Sequence, residues 1–419
     1  MEQSKSIHSR FEVHRAVAAL LMALTAFAAR PAHAQERRER TLDEIKTEAV
    51  YRAENGIYPL IGLDPKDVSE AFTKISSKDK DEWAAGFMSV ADRYMAEGKA
   101  LEKGDPAKAD ANFVRAWHLY SFGRWPIPSS PGKQRSYEKA IDAFLTHARS
   151  YDPPLEVVHI PFEGKEITGY LRLPKNATGP VPLVIAVNGL DSRKEDLAES
   201  FATILQFGIG FLAVDGPGTG QAPVQASLTA DRMLSRVLDY AQSRPEIDKN
   251  RLAMHGVSWG AYWATKMAIV EHARLRGCSA QSPPTDGFFQ KEFLENSLLG
   301  NREYLFDQVP ALMAIFDNVK TVDQLGAIFP EMSLVKQGLL GKPMSPMLIL
   351  AGVLDTQVPI ADVYLLMSKG DVPKEAWINP QGGHLGRQVK VWPDPVIFRK
   401  VIIPWLVHNL EVTAPAEAQ

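Results

Sequence analysis

The 419-residue chain has one cysteine, Cys278, so no disulfide can form within it. The fold must be held by its core, and the lone thiol, in the strand-like run Arg276-Gly277-Cys278-Ser279-Ala280, reads as a buried structural residue rather than a nucleophile. The chain also lacks a dominant charge. Its 47 Lys and Arg stand against 50 Asp and Glu, a formal net charge of −3, with no basic block or acidic tail. That gives no support to a nucleic-acid partner. There is no H-E-x-x-H, and His118, His147, His159 and His272 have no metal-ligand spacing, so no metal is expected. The glycine-rich stretch Asp215-Gly216-Pro217-Gly218-Thr219-Gly220 lacks both the Lys-Ser/Thr of a P-loop and the G-x-G-x-x-G spacing. It reads as a tight turn, and no cofactor is expected. No apolar run is long enough to span a bilayer: Ala16 to Ala29 is too short.

That short run has another reading. Lys5, Arg10 and Arg15 precede it, and Ala32-His33-Ala34 follows as an A-x-A cleavage signal. The expectation is a signal peptide over residues 1–34, Sec-type export to a bacterial periplasm or beyond, and no stable membrane span after cleavage.

Composition is otherwise that of a large globular core, 45% hydrophobic and 23% charged. Residues 35–152 read as a helical cap region. Trp83, Phe87, Val90 and Tyr94 follow at steps of 4, 3 and 4, and Phe113, Trp117 and Tyr120 at 4 and 3. From Pro153 the texture changes. Val181–Val187, Gly208–Val214, Leu252–Val257, Met347–Ala351 and Ala376–Asn379 are continuous apolar or strand-like runs separated by helical ones. This predicts a mostly parallel central sheet with helices on both faces over residues 153–412. Residues 283–345 interrupt the rhythm as a helical insertion suited to a lid, and 413–419 form an Ala/Pro/Glu-rich tail expected to be disordered.

The chemistry concentrates at Gly256-Val257-Ser258-Trp259-Gly260, between a strand-like and a helix-like run. Strand, G-x-S-x-G, helix is the nucleophile elbow of the α/β-hydrolase fold. A serine hydroxyl needs a base to take its proton and a carboxylate to orient that base. The chain order Ser, acid, His then selects Asp355, just past the Met347–Ala351 strand, and His384, in Gly382-Gly383-His384-Leu385-Gly386 after the next strand. Asp362, inside a helix, His408, in a terminal helix beside Trp405 and Leu406, and His255, on the strand before the elbow, read as structural. The oxyanion donors are expected to be the backbone N–H groups of Trp259 and Leu190, the latter in Asn188-Gly189-Leu190-Asp191. Ser192 and Glu195 read as a capping box opening the next helix.

The motif set Asn188–Ser192 with Lys194-Glu195, Asp215–Gly220 and Gly256–Gly260 resembles the FrsA-like esterases, a group that includes 2,6-dihydroxypseudooxynicotine hydrolase and fungal polyketide-shortening hydrolases. The resemblance covers about residues 60–410. It implies an N-terminal helical cap over a serine-hydrolase core, and either ester hydrolysis or cleavage of a carbon–carbon bond next to a ketone. The carbon–carbon chemistry implies an extra acid in Gln290–Glu295, with Glu292 and Glu295 as candidates. The leading expectation is an ester hydrolase for a small to medium, aromatic or apolar substrate. A carbon–carbon bond hydrolase comes second, and a peptidase, an amidase or a non-catalytic binding protein on the same scaffold comes last. A small-molecule substrate is the one partner expected. The oligomeric state is open, a homodimer included. Of the cap aromatics Trp83, Trp117, Tyr120, Phe122 and Trp125, most are expected in the helix core and one or two at the pocket.

Overall fold

A computed structural model describes residues 38–175 and 177–412. The expected signal peptide, residues 1–34, and the expected disordered tail, 413–419, lie outside the described residues. No helix among the described residues is long and apolar enough to cross a membrane.

Five helices come first: α1 (Leu42–Asn55), α2 (Pro65–Phe72), α3 (Lys80–Leu101), α4 (Pro106–Arg124) and α5 (Pro131–Ala148). Their starts are written locally. Thr41 and Glu44 form a capping box for α1, and the side chains of Asp79, Asp105 and Ser130 cap α3, α4 and α5. Each such cap contributes about 1 kcal/mol. The apolar stripe of α3 packs inward as its spacing demands: Trp83, Phe87 and Val90 are 3%, 0% and 0% exposed.

Eight strands then form one sheet: β1 (Glu156–Phe162), β2 (Lys165–Arg172), β3 (Val181–Val187), β4 (Gly210–Val214), β5 (Ile247–Val257), β6 (Gly277–Gln281), β7 (Met347–Gly352) and β8 (Lys374–Asn379), in the order β1-β2-β4-β3-β5-β6-β7-β8. The β1–β2 and β2–β4 pairs are antiparallel and the others parallel. This is the α/β-hydrolase fold. Helices α6 (Lys194–Ser200), α7 (Asp231–Ser243) and α8 (Trp259–Val270) connect the middle strands, and the stretch between β6 and β7 holds short helices of seven residues or fewer.

The strand alternation divides the interior in two. Leu183, Ile185 and Val187 of β3 face one apolar cluster with α7 and α8, while Val184 and Ala186 face the other. That second cluster also contains Trp83, Phe87, Phe113 and Phe144. The helical region therefore shares a core with one face of the sheet. The boundary read at 152/153 marks a change of secondary structure, not a break in packing.

Candidate active site

The sharp turn after β5 sets Ser258 in a conformation most residues avoid, φ 52° and ψ −116°. Glycine makes room for it: a Cβ on Gly260 would stand 2.3 Å from the Val187 carbonyl oxygen. Ser258 donates its N–H to the Gln281 carbonyl at 2.8 Å, which ties the turn to β6. The hydroxyl stands at the N-terminus of the twelve-residue α8, where backbone N–H groups and the helix dipole favour developing negative charge.

His384 Nε2 lies 2.9 Å from Ser258 Oγ, and its Nδ1 lies 2.9 Å from Asp355 Oδ2. With the proton on Nδ1 donated to Asp355, Nε2 is free to accept the serine proton. Asp355 is fixed in turn, since its Oδ1 accepts the N–H groups of Gln357 and Val358 at 2.8 and 2.9 Å. Burial lowers the proton affinity of His384, but the charge and hydrogen bond of Asp355 outweigh it, and the imidazole ends above its usual range. The structure thus brings together the three side chains selected from sequence, each at the C-terminal end of a strand or in the loop beyond it.

Two further side chains, which no motif pointed to, bridge the acid and histidine loops. Ser282 Oγ donates to Asp355 Oδ2 at 2.7 Å and accepts the Leu385 N–H at 3.0 Å. Glu303 Oε2 accepts the Thr356 N–H and hydroxyl at 2.9 and 2.7 Å, while its Oε1 accepts the His384 N–H. Gly383 allows this approach, because a Cβ there would stand 2.4 Å from Glu303 Oε1. Arg52 of α1 holds the Glu303 carbonyl at 2.9 Å, and Arg40 holds those of Tyr304 and Leu305 at 2.8 Å each. The only signal for Ser282 was its place one residue past a central parallel strand. Glu303 carried none, lying in an irregular insertion.

The loop after β3 passes beside the serine, with the Cβ position of Gly189 at 3.5 Å from Ser258 Cβ. Asn188 knits this loop to the Asp215–Gly220 turn: its Oδ1 accepts the Gly216 N–H at 2.6 Å and its Nδ2 donates to Thr219 Oγ1 at 3.1 Å. The Trp259 indole N–H donates to the Pro217 carbonyl at 3.2 Å, which fastens the same turn to α8. Leu190 and Trp259 both line the cavity over Ser258. Among the described residues no carbonyl or side chain claims either backbone N–H.

Three expectations need correction. Ser192 and Glu195 do not make the capping box. The helix opens one residue later, with the Arg193 N–H on Asp196 at 2.8 Å. Ser192 Oγ instead accepts the Gly189 N–H at 3.0 Å, and Glu195 is buried against Lys194 Nζ at 2.9 Å and the Tyr170 hydroxyl at 2.9 Å. Glu292 and Glu295 are exposed and do not line the cavity, and Glu295 pairs with Lys291 at 3.5 Å, so neither is placed to act as an extra acid there. His408 is exposed rather than packed beside Trp405. Cys278 and His255 are buried: the first is pushed up to about 12 by desolvation, the second down to about 3 by desolvation while contacting Ser279 Oγ at 2.7 Å. Asp362 is buried and accepts four backbone N–H groups from residues 285–288.

The cavity is about 1070 Å³. All five cap aromatics belong to the buried core of the helical region, and three of them, Trp117, Phe122 and Trp125, rather than the expected one or two, also line the cavity.

The family model described as esterase FrsA-like matches residues 25–378. The chain belongs to the FrsA-like esterase family. Among its relatives, the hydrolyase poxO of Penicillium oxalicum (strain 114-2 / CGMCC 5302) is 29% identical over 249 residues, 54% of this chain and 57% of the fungal protein. The alpha/beta hydrolase ucsC of Acremonium sp is 29% identical over 259 residues, covering 55% and 52%. The chain thus spans little more than half the length of these fungal relatives. The esterase FrsA of Yersinia pestis (strain Pestoides F) is 25% identical over 313 residues, 68% of this chain and 72% of that one. The solved structure of 2,6-dihydroxy-pseudo-oxynicotine hydrolase superposes with a TM-score of 0.68 at 19% identity, covering 88% of this chain and 98% of that one. AbyA5 superposes at 0.67 and 17%, covering 89% and 96%. These two show the shared fold. The chain thus joins membership of the FrsA-like family to the α/β-hydrolase fold.

Proposed function

We propose that this FrsA-like hydrolase cleaves a carboxylic ester of a small to medium, aromatic or apolar substrate through an acyl-enzyme. Ser258 attacks the carbonyl, and His384 takes the hydroxyl proton and returns it to the departing alcohol. Asp355 holds the imidazole in the required tautomer, and the N–H groups of Leu190 and Trp259 receive the oxyanion. Water, deprotonated by the same histidine, then releases the acid. The observation that carries this reading is the unbroken relay at 2.9 Å and 2.9 Å from Ser258 through His384 to Asp355, beneath a large cavity with aromatic walls. The carbon–carbon alternative has lost the acids nominated for it, since Glu292 and Glu295 lie outside that cavity. Export remains part of the proposal on the strength of residues 1–34 alone, and a mature protein beginning at Gln35 would be its signature.

Fluorophosphonate labelling and p-nitrophenyl ester hydrolysis test the relay. Ser258→Ala is expected to lose labelling and to fall by about 1000-fold or more in kcat. Retention of more than about a tenth of wild-type activity would overturn the assignment, because removing a true nucleophile cannot leave so much.

A further inference from the structure

Asn188 stands directly after β3 and is fully buried, without itself lining the cavity. Its Nδ2 donates to the carbonyl oxygens of Gly189 and Ser192 at 2.9 and 2.6 Å and meets Thr219 Oγ1 at 3.1 Å. Its Oδ1 accepts the Gly216 N–H at 2.6 Å. These partners fix which way the amide faces. Turned over, its oxygen would meet two carbonyls and its nitrogen an N–H.

The bond to Gly189 has a geometric consequence. In a trans peptide the C=O and N–H point in opposite directions across one rigid plane. The Gly189 carbonyl and the Leu190 N–H share such a plane, so by holding the first the Asn188 amide turns the second away from itself. The backbone alone does not fix that plane. Gly189 lies against the elbow, where a Cβ would stand 3.3 Å from the Val257 carbonyl oxygen and 3.5 Å from Ser258 Cβ. The freedom of glycine lets the adjoining peptide rotate at little cost, and a side-chain bond supplies the missing constraint. The rest of the loop is held in the same manner. The Gly189 N–H donates to Ser192 Oγ at 3.0 Å, Arg193 Nη1 donates to the Leu190 carbonyl at 3.1 Å, and Arg124 Nη1 donates to that of Asp191. Side chains thus claim three successive carbonyls, while Leu190 lines the cavity over Ser258.

We propose that Asn188 is a positioning residue that aims the Leu190 N–H at the oxyanion. The proposal rests on the ester-hydrolase reading and adds to it the group that holds one oxyanion donor in place. Asn188 acts through Leu190, so its effect belongs to the transition state, where charge gathers on the carbonyl oxygen, and not to substrate binding. Removing one oxyanion donor costs about a hundredfold to a thousandfold in kcat, and a donor displaced rather than removed costs about tenfold to a hundredfold.

The test compares wild type, Asn188→Ala, Asn188→Asp and Thr219→Val on p-nitrophenyl esters and against an aryl trifluoromethyl ketone, whose carbonyl carbon Ser258 attacks to give a hemiketal oxyanion. Asn188→Asp matches Asn in size and keeps an acceptor for the Gly216 N–H. Both Asn188 variants are expected to lose about tenfold to a hundredfold in kcat with KM within about threefold, and to bind the ketone more weakly by the same factor. Thr219→Val cuts the tie between Asn188 and the Asp215–Gly220 turn but leaves Gly189 held, so its kcat should stay within about threefold of wild type. A merely structural role predicts equal losses in Thr219→Val and the Asn188 variants. That outcome, or a kcat within about threefold of wild type in the Asn188 variants, or a rise in KM alone, overturns the proposal. If neither Asn188 variant folds, the crystal structure of the wild-type ketone adduct decides. The hemiketal oxygen is expected within about 3 Å of the Leu190 nitrogen, with Asn188 Nδ2 still on the Gly189 carbonyl, and the absence of either contact overturns the proposal. Failure of the ester-hydrolase reading looks different, because wild type itself would then neither hydrolyse the esters nor take up a fluorophosphonate.

Discussion

The two walls of the cavity are built on different principles. On the sheet side, Asp355 takes four hydrogen bonds to its two oxygens and His384 is held at both ring nitrogens and at its backbone N–H. On the helical side the joints are made by cations on backbone carbonyls: Arg40 and Arg52 on residues 302–305, Arg124 on Pro126 and Asp191, and Lys133 on Trp125. A guanidinium has five donors and satisfies several carbonyls at once without needing a carboxylate partner. The contrast teaches that geometry critical to proton transfer is assigned to strand ends, where a shift of about 1 Å costs roughly a hundredfold in rate. Cavity shape is left to helices fastened through their backbones.

The sharpest way to break this contrast is Asp355→Asn. The variant should keep its fold but lose about 1000- to 10,000-fold in kcat, because the imidazole is no longer held in the tautomer that accepts from Ser258. The pH profile adds a sign. Asp355 is what lifts His384 above its ordinary value against the opposing effect of burial. Only neutral His384 accepts a proton, so wild-type kcat/KM should fall as pH drops through a value above the usual imidazole range of about 6.5. In Asp355→Asn that limb should move to lower pH. A limb that stays in place would mean another group controls it.

Ser282 sharpens the contrast from within the sheet side. Its hydroxyl shares Asp355 Oδ2 with His384 Nδ1, so it competes for the same lone pairs. Ser282→Ala should lower kcat by about tenfold, by releasing the Leu385 N–H and loosening the histidine loop, with KM little changed. Asp355 would then bind the His384 proton more strongly, so the acid limb should move to higher pH, opposite to Asp355→Asn. Ser282 has φ 48°, a conformation that favours glycine, so Ser282→Gly removes the hydroxyl while relieving strain. Equal kinetic effects of Ala and Gly identify the hydroxyl. If only Ala is impaired, backbone conformation is responsible instead.

The same division explains what the sequence disclosed. The proposed reacting groups are encoded locally: Ser258 by two glycines between a strand and a helix, Asp355 and His384 by their places after apolar strands. The parallel sheet followed from apolar runs of strand length, and the helical region from stripes such as Trp83, Phe87, Val90 and Tyr94. What stayed hidden depends on distant parts of the chain meeting. Glu303 reaches His384 across 81 positions, and Ser282 reaches Leu385 across 103. Trp125 finds Asp191 across 66. No periodicity reports such pairs. The Ser192–Glu195 misreading has a related cause. The S-x-x-E pattern is real, but Lys194 and Asp215 offer Glu195 a buried ion cluster, with Lys194 Nζ on Asp215 at 3.1 Å, and tertiary electrostatics overrides the local signal.

The smallest expected effect lies at the joint between the walls. His147, at the end of α5, places Nδ1 2.7 Å from Asp110 of α4 and Nε2 3.8 Å from Glu199 of α6. Around them, Ser150 donates to Asp110, the Tyr151 hydroxyl donates to Glu199, and Arg172 stands 4.3 Å over the Tyr151 ring. His118, half-buried nearby, feels Glu199 and His147 as well. Burial lowers the proton affinity of His147, but its bonds to Glu199 and Asp110 outweigh that and leave it raised. Glu199 is lowered, first by its bond to His147. A raised histidine contributes stability that is complete below its unfolded value, about 6.5, and is lost as pH climbs through the folded value. A lowered carboxyl contributes stability above its unfolded value, about 4.3, that is lost only as pH falls further. The joint is therefore strongest between about pH 4.5 and 6.5. His147 is buried, but Glu199 is 51% exposed and Asp110 32%, so screening at the carboxylates reduces the joint's worth to about 0.5 kcal/mol. Denaturant unfolding of wild type and His147→Gln at pH 5.5 and 8.5 should differ by no more than that at the lower pH and converge at the higher one. The helical wall is held chiefly by apolar packing continuous with the sheet, and a loss above about 2 kcal/mol at pH 5.5 would show instead that its attachment is ionic.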